Sequence, residues 1–81
     1  MSPTVLRSGP YRLFFFSNEG TEPPHIHIER DGSLAKFWLT PVGLAASSGF
    51  GAGELRKIQR VVEVEASRLE AAWHEYFRSD P

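Results

Sequence analysis

The sequence predicts an α+β domain: an antiparallel sheet of three to five strands with one long C-terminal helix packed across a face. Three observations lead there. Aromatic and β-branched residues alternate with a period of two in the first half of the chain. An Asp31-Gly32 pair divides two such runs, a strong signal for a two-residue hairpin turn. After Gly53 the apolar positions switch to a repeat near 3.6 residues, as one face of a helix requires. With 81 residues the chain is expected to form a single domain with a small core, a size at which a partner subunit or homo-oligomer would add stability.

The elements follow in order. Thr4 to Arg7 is short and β-prone, and Ser8-Gly9-Pro10 breaks it, so an edge strand is expected there. Tyr11 to Phe16 is a strong aromatic strand, with Tyr11, Leu13 and Phe15 on one face and Arg12, Phe14 and Phe16 on the other. Ser17 to Glu22 is a polar loop leading into Pro23-Pro24. Those prolines hold the chain extended and direct His25 into the next strand; the sequence leaves the state of their peptide bonds open, with cis the minority state even before proline.

A turn at Asp31-Gly32 sets the hairpin register. Arg30 then faces Ser33, Glu29 faces Leu34, Ile28 faces Ala35, His27 faces Lys36, Ile26 faces Phe37 and His25 faces Trp38. Ile26, Ile28, Ala35, Phe37 and Leu39 become the core side, and His25, His27, Glu29, Lys36 and Trp38 share the opposite side. Thr40-Pro41 ends the strand, and a further short strand is expected through Val42 and Leu44. Gly51 or Gly53 serves as the cap of the helix, and Glu54 suits the positive end of its dipole. Leu55, Ile58, Val61, Val62, Leu69, Ala72, Trp73, Tyr76 and Phe77 form its apolar stripe, and Ser79-Asp80-Pro81 is its expected stop. Val64 falls off the stripe.

Composition excludes several functions. Hydrophobic residues at 41% and charged residues at 23% are a globular balance. A net charge of -1 gives no overall attraction to a polyanion, so any nucleic-acid contact must be local. The absence of cysteine removes disulfides and thiolate chemistry. No apolar run approaches the ~20 residues of a membrane span, and a cytoplasmic location is the expectation.

The residues able to carry chemistry lie at His25-Ile26-His27-Ile28-Glu29. Two imidazoles on one side of a strand stand about 7 Å apart at Cβ, close enough to share an ion. A divalent metal held by His25, His27 and Glu29, or completed by Glu22 or His74, is one reading. Lys36 opposite His27 weighs against it, because an ammonium beside the ligands repels a dication. The same grouping suits an anion better. His25 and His27 as acid and base with Lys36 stabilising negative charge would make a metal-independent ribonuclease without a cofactor, with Trp38 offering a face to a base and Glu29 and Arg12 completing the binding surface. Against both stands a solvated or partner-facing strand surface without catalysis. Trp73 and Phe77 read as core, and Arg56, Lys57, Arg60 and Arg68 with Glu63, Glu65 and Glu70 as a solvated helix face.

At Glu22-Pro23-Pro24-His25-Ile26-His27 the chain resembles the small bacterial proteins of the domain-of-unknown-function family 4160. The resemblance extends to Pro3-Thr4-Val5 with Arg7, the aromatic strand Tyr11–Phe16, Ala35-Lys36-Phe37-Trp38-Leu39, Gly49-Phe50, Glu54-Leu55 with Ile58, and Trp73 with Phe77. It implies a toxin-like component of a two-gene toxin–antitoxin module, paired with a small protein of another uncharacterised family, 2442.

Overall fold

The computed structural model describes residues 4–78. Pro3 and the expected stop at Ser79-Asp80-Pro81 lie outside the described residues. The chain forms β1 (Thr4–Ser8), β2 (Tyr11–Phe14), β3 (His25–Arg30), β4 (Ser33–Leu39), β5 (Val42–Ser48) and one helix, α1 (Ala52–Phe77). The five strands make one antiparallel sheet in sequence order, β1 to β5, and α1 packs on it. That α+β arrangement is the predicted one.

The hairpin of β3 and β4 forms because Asp31 and Gly32 both adopt positive φ, 49° and 84°, as the mirror-image turn demands. Its six pairs, from Arg30 with Ser33 to His25 with Trp38, are those the turn predicts. On β2 the alternation also holds: Tyr11, Leu13 and Phe15 enter the core beneath α1, while Phe14 and Phe16 pack on His27 across the sheet. The β2 ladder itself ends at Phe14, two residues before the predicted limit, where the chain leaves the sheet for the loop at 15–24. Among the described residues the one cis peptide is Thr40-Pro41, and the bonds preceding Pro23 and Pro24 are trans.

The strand predicted through Val42 and Leu44 runs on to Ser48. Ala45-Ala46-Ser47-Ser48 has little β-propensity of its own; the ladder offered by β4 carries it, with an irregularity between Lys36 and Phe37 that takes up one extra residue. α1 starts after Gly51, whose extended backbone caps it without a side-chain bond. Ile58, Val62, Leu69 and Trp73 are its buried positions, against Leu13, Ile26, Ile28, Ala35 and Phe37 of the sheet. Off this stripe, Val64 is 77% exposed.

The start of α1 is tied to the end of β3. Arg30 donates from Nε and another guanidinium nitrogen to the two Glu54 oxygens, each at 2.6 Å, and the Tyr11 hydroxyl donates to Oε2 at 2.9 Å. The Arg30 hydrogen bonds hold the Glu54 carboxyl below its ordinary value of 4.5 against a smaller desolvation effect. A carboxyl whose folded pKa is depressed contributes stability that is complete above the unfolded value and is lost as pH falls through the folded one. Thermal unfolding of the wild type is therefore expected to lose stability below about pH 4.5 more steeply than Glu54→Gln does, with the two curves separated by a constant amount at neutral pH.

Candidate functional site

Two rules of local structure build the site. Strand alternation puts His25 and His27 on the face of β3 away from Ile26 and Ile28. Pro23-Pro24 then forces the preceding segment to run extended, so that the loop at 15–24 doubles back over that face. A turn in which the Glu22 N–H donates to the Glu19 carbonyl, at 3.1 Å, closes the loop. Gly20 lies so close to the Phe77 ring that a Cβ there would stand 2.7 Å from it, so glycine lets the loop meet the end of α1.

The loop delivers Glu19. Its Oε1 lies 2.8 Å from Nε2 of His25 and 2.7 Å from Nε2 of His27. The other ring nitrogen of His25 lies 2.9 Å from the Pro23 carbonyl oxygen. Because a carbonyl only accepts, His25 Nδ1 carries a hydrogen and donates it. His27 Nδ1 is buried without a partner. Aromatic rings wall the group in: Phe14 stacks on His27 with centroids 5.5 Å apart, Phe16 meets it edge-on at 4.5 Å, and Trp73 and Trp38 lie 4.7 and 5.7 Å from His25.

These walls set the electrostatics. His25 is 0% exposed and His27 5%, so neither ring presents an edge to bulk water. Burial pushes the His27 imidazolium down, and its hydrogen bond to Glu19 recovers only part of that, leaving its pKa below 6.5. Burial pushes the Glu19 carboxyl up, yet the two histidines together outweigh it and leave the group below 4.5. At neutral pH a carboxylate therefore faces a neutral His27 ring.

The predicted site residues separate into three groups. His25 and His27 come together, and the carboxylate they meet is Glu19; Glu29 pairs instead with Arg12 across β2 and β3, at 3.2 Å, where Arg12 also covers Phe14 and donates to Thr4 Oγ1. Lys36 donates to Glu22 at 2.6 Å, with its ammonium 4.7 Å from the centre of the Trp38 ring. His74 is exposed on α1. Glu19 was missed because a polar loop has no periodicity to reveal where its side chains point; the one available hint was its position ahead of Gly20 and two prolines.

A shallow groove of about 230 Å³ runs along the same face beside β5, lined by His27, Leu34, Ala35, Lys36, Ala46 and the two serines that end β5. It is the approach from solvent to His27. Among the described residues no helix is long and apolar enough to cross a membrane. Neither a curated protein nor a solved structure matches the chain. Residues 11–74, which run from β2 almost to the end of α1 and hold Glu19, His25 and His27 together, match the family described as "Domain of unknown function (DUF4160)", and the chain belongs to that family.

Proposed function

We propose that this protein is the toxin-like member of a two-gene module and that it recognises its small partner protein by strand addition at β5. The observation that carries the reading is the edge itself. β5 is seven residues long, has no charged side chain, and is exposed from Leu44 to Ser48. Edge strands are ordinarily protected by charge, proline, brevity or a bulge; β5 carries the irregularity opposite Lys36 and Phe37 but neither charge nor proline, which leaves most of its length a template for another chain. The opposite edge, β1, is five residues long and carries Arg7. A partner strand laid on β5 would gain main-chain hydrogen bonds, and Leu44, 45% exposed, together with the groove beside Ala46 would supply side-chain contacts.

Partner binding is favoured over ribonuclease chemistry at His25, His27 and Lys36. The two rings are covered by the loop at 15–24, and the Lys36 ammonium is paired with Glu22. An RNA phosphate would reach His25, at 0% exposure, only after that loop lifted.

Co-expression with the product of the adjacent gene, followed by affinity capture, tests the proposal. A stoichiometric complex is expected, with growth arrest on expression alone and relief by the partner. Leu44→Lys places the natural protective charge on an exposed edge position, where the effect on folding is within about 0.5 kcal/mol, and is expected to weaken capture at least ~10-fold. Undiminished capture by Leu44→Lys, or self-association through β5 with no partner bound, would overturn it. RNA breakdown that tracks His27 and not Leu44 would favour the ribonuclease reading.

A further inference from the structure

We propose that Glu19, His25 and His27 form a binding site for a divalent transition ion of the zinc type, held by one carboxylate oxygen and the two Nε2 atoms with at least one coordination position left open. The inference goes beyond partner recognition and does not depend on it. Its first support is convergence. Potential ligand atoms of the three side chains all lie within 4.8 Å of one another, the only such grouping of three among the described residues.

The hydrogen-bond pattern of His25 is the second support. Its Nδ1–H is committed to the Pro23 carbonyl at 2.9 Å, which is the outer contact that fixes the tautomer and ring orientation of metal-ligating histidines. With that hydrogen placed on Nδ1, a neutral His25 ring points a lone pair from Nε2 toward Glu19 Oε1 at 2.8 Å, acceptor against acceptor. Protein atoms alone leave this contact as two facing acceptors around a ring with 0% exposure. A cation between the ligands satisfies it directly.

Two imidazoles and one carboxylate select a zinc-like ion over calcium or magnesium, which take oxygen ligands. Three protein ligands with an open fourth position are the pattern of zinc sites that bind water or substrate. Tetrahedral bonds of ~2.0–2.1 Å set ligand atoms about 3.3 Å apart, so the carboxylate must withdraw from each Nε2 by about half an ångström and the two rings, whose ligand atoms lie within 4.8 Å, must settle to the same spacing. Glu19 has that freedom, being on a loop with its side chain 20% exposed. The charge argument against a metal is also weakened, because Lys36 is paired with Glu22 at 2.6 Å. The groove that reaches His27 offers a route in.

The test uses full-length protein without a histidine tag, stripped by chelator and titrated with Zn²⁺ alone. One equivalent is expected to bind and to raise the unfolding temperature by several degrees or more at saturation. In NMR spectra the ring signals of His25 and His27 are expected to shift and those of exposed His74 to stay, a readout that needs no variant. Removing a supporting contact around a metal ligand costs about 10–100-fold in affinity, so loss of a ligand in Glu19→Gln or His27→Gln is expected to cost at least that much. Glu29→Gln, whose carboxylate serves Arg12, is expected to leave binding unchanged. Absence of stoichiometric binding by the wild type, a shift of His74 in place of the other two, or equal affinity in Glu19→Gln would overturn the proposal. Loss of partner capture in Leu44→Lys with Zn²⁺ binding intact would separate this site from the edge.

Discussion

Phe37→Ala is expected to lower the unfolding free energy by about 3–5 kcal/mol, the usual cost of emptying an aromatic site in a packed core. Phe37 has 0% exposure at the centre of the sheet, on β4, opposite Ile26 of β3 and Leu44 of β5. Ile58, Val62 and Leu69 of α1 belong to the same cluster. A cavity there has little means of collapsing, since strands flank it on both sides and the helix lies over it. At roughly 0.05–0.15 kcal/mol per residue, a chain of 81 residues has a total stability of about 4–12 kcal/mol, so the substitution removes about a quarter of it or more. Urea unfolding followed by circular dichroism measures the effect. Val64→Ala is the comparison: Val64 is also apolar and on α1, but at 77% exposure its truncation is expected to change stability by no more than about 0.5 kcal/mol. Similar midpoints for the two variants would contradict the packing described here.

The positions of Phe37 and Val64 were both legible in the sequence, and for the same reason. Each lies in an element whose period is set by backbone geometry: two residues in a strand, 3.6 in a helix. Asp31-Gly32 did more, since a two-residue turn with positive φ at both positions admits one register, and every pair from Arg30–Ser33 to His25–Trp38 follows. Periodicity identifies the face on which a side chain lies, however, and not what lies over it. His25 and His27 were placed together on the face away from Ile26, yet their burial under the loop at 15–24 depends on where an aperiodic segment comes to rest. Glu19 is hidden from sequence for the same reason, and so is the pairing of Arg30 with Glu54, which depends on how the start of α1 meets the end of β3. The outer half of β5 was obscured differently. Its alanines and serines carry no strand signal, and the ladder of β4 imposes the conformation on them.

Glu19→Ala provides the sharpest contrast with what the sequence suggests for a polar loop residue. In chelator-treated protein the substitution is expected to cost about 1–3 kcal/mol, because it leaves the buried His27 Nε2–H without the oxygen that accepts it. The upper part of that range applies where water cannot replace the acceptor, since the His27 side chain is only 6% exposed. Glu19→Gln retains a carbonyl acceptor and is expected to cost about half as much. Glu22→Ala, three residues along the same loop, also removes a carboxylate that holds a cation, the Lys36 ammonium. That pair is partly solvated, with side chains 38% and 21% exposed, so its loss is expected to cost no more than about 1 kcal/mol. The two alanine variants differ in one respect: Glu22 releases a lysine that can turn to water, and Glu19 abandons histidines fixed between Phe14, Phe16, Trp38 and Trp73 that cannot. Equal unfolding midpoints for them would mean that the histidines find other partners when the carboxylate is gone. A large gap would make Glu19 the residue that holds the loop over β3.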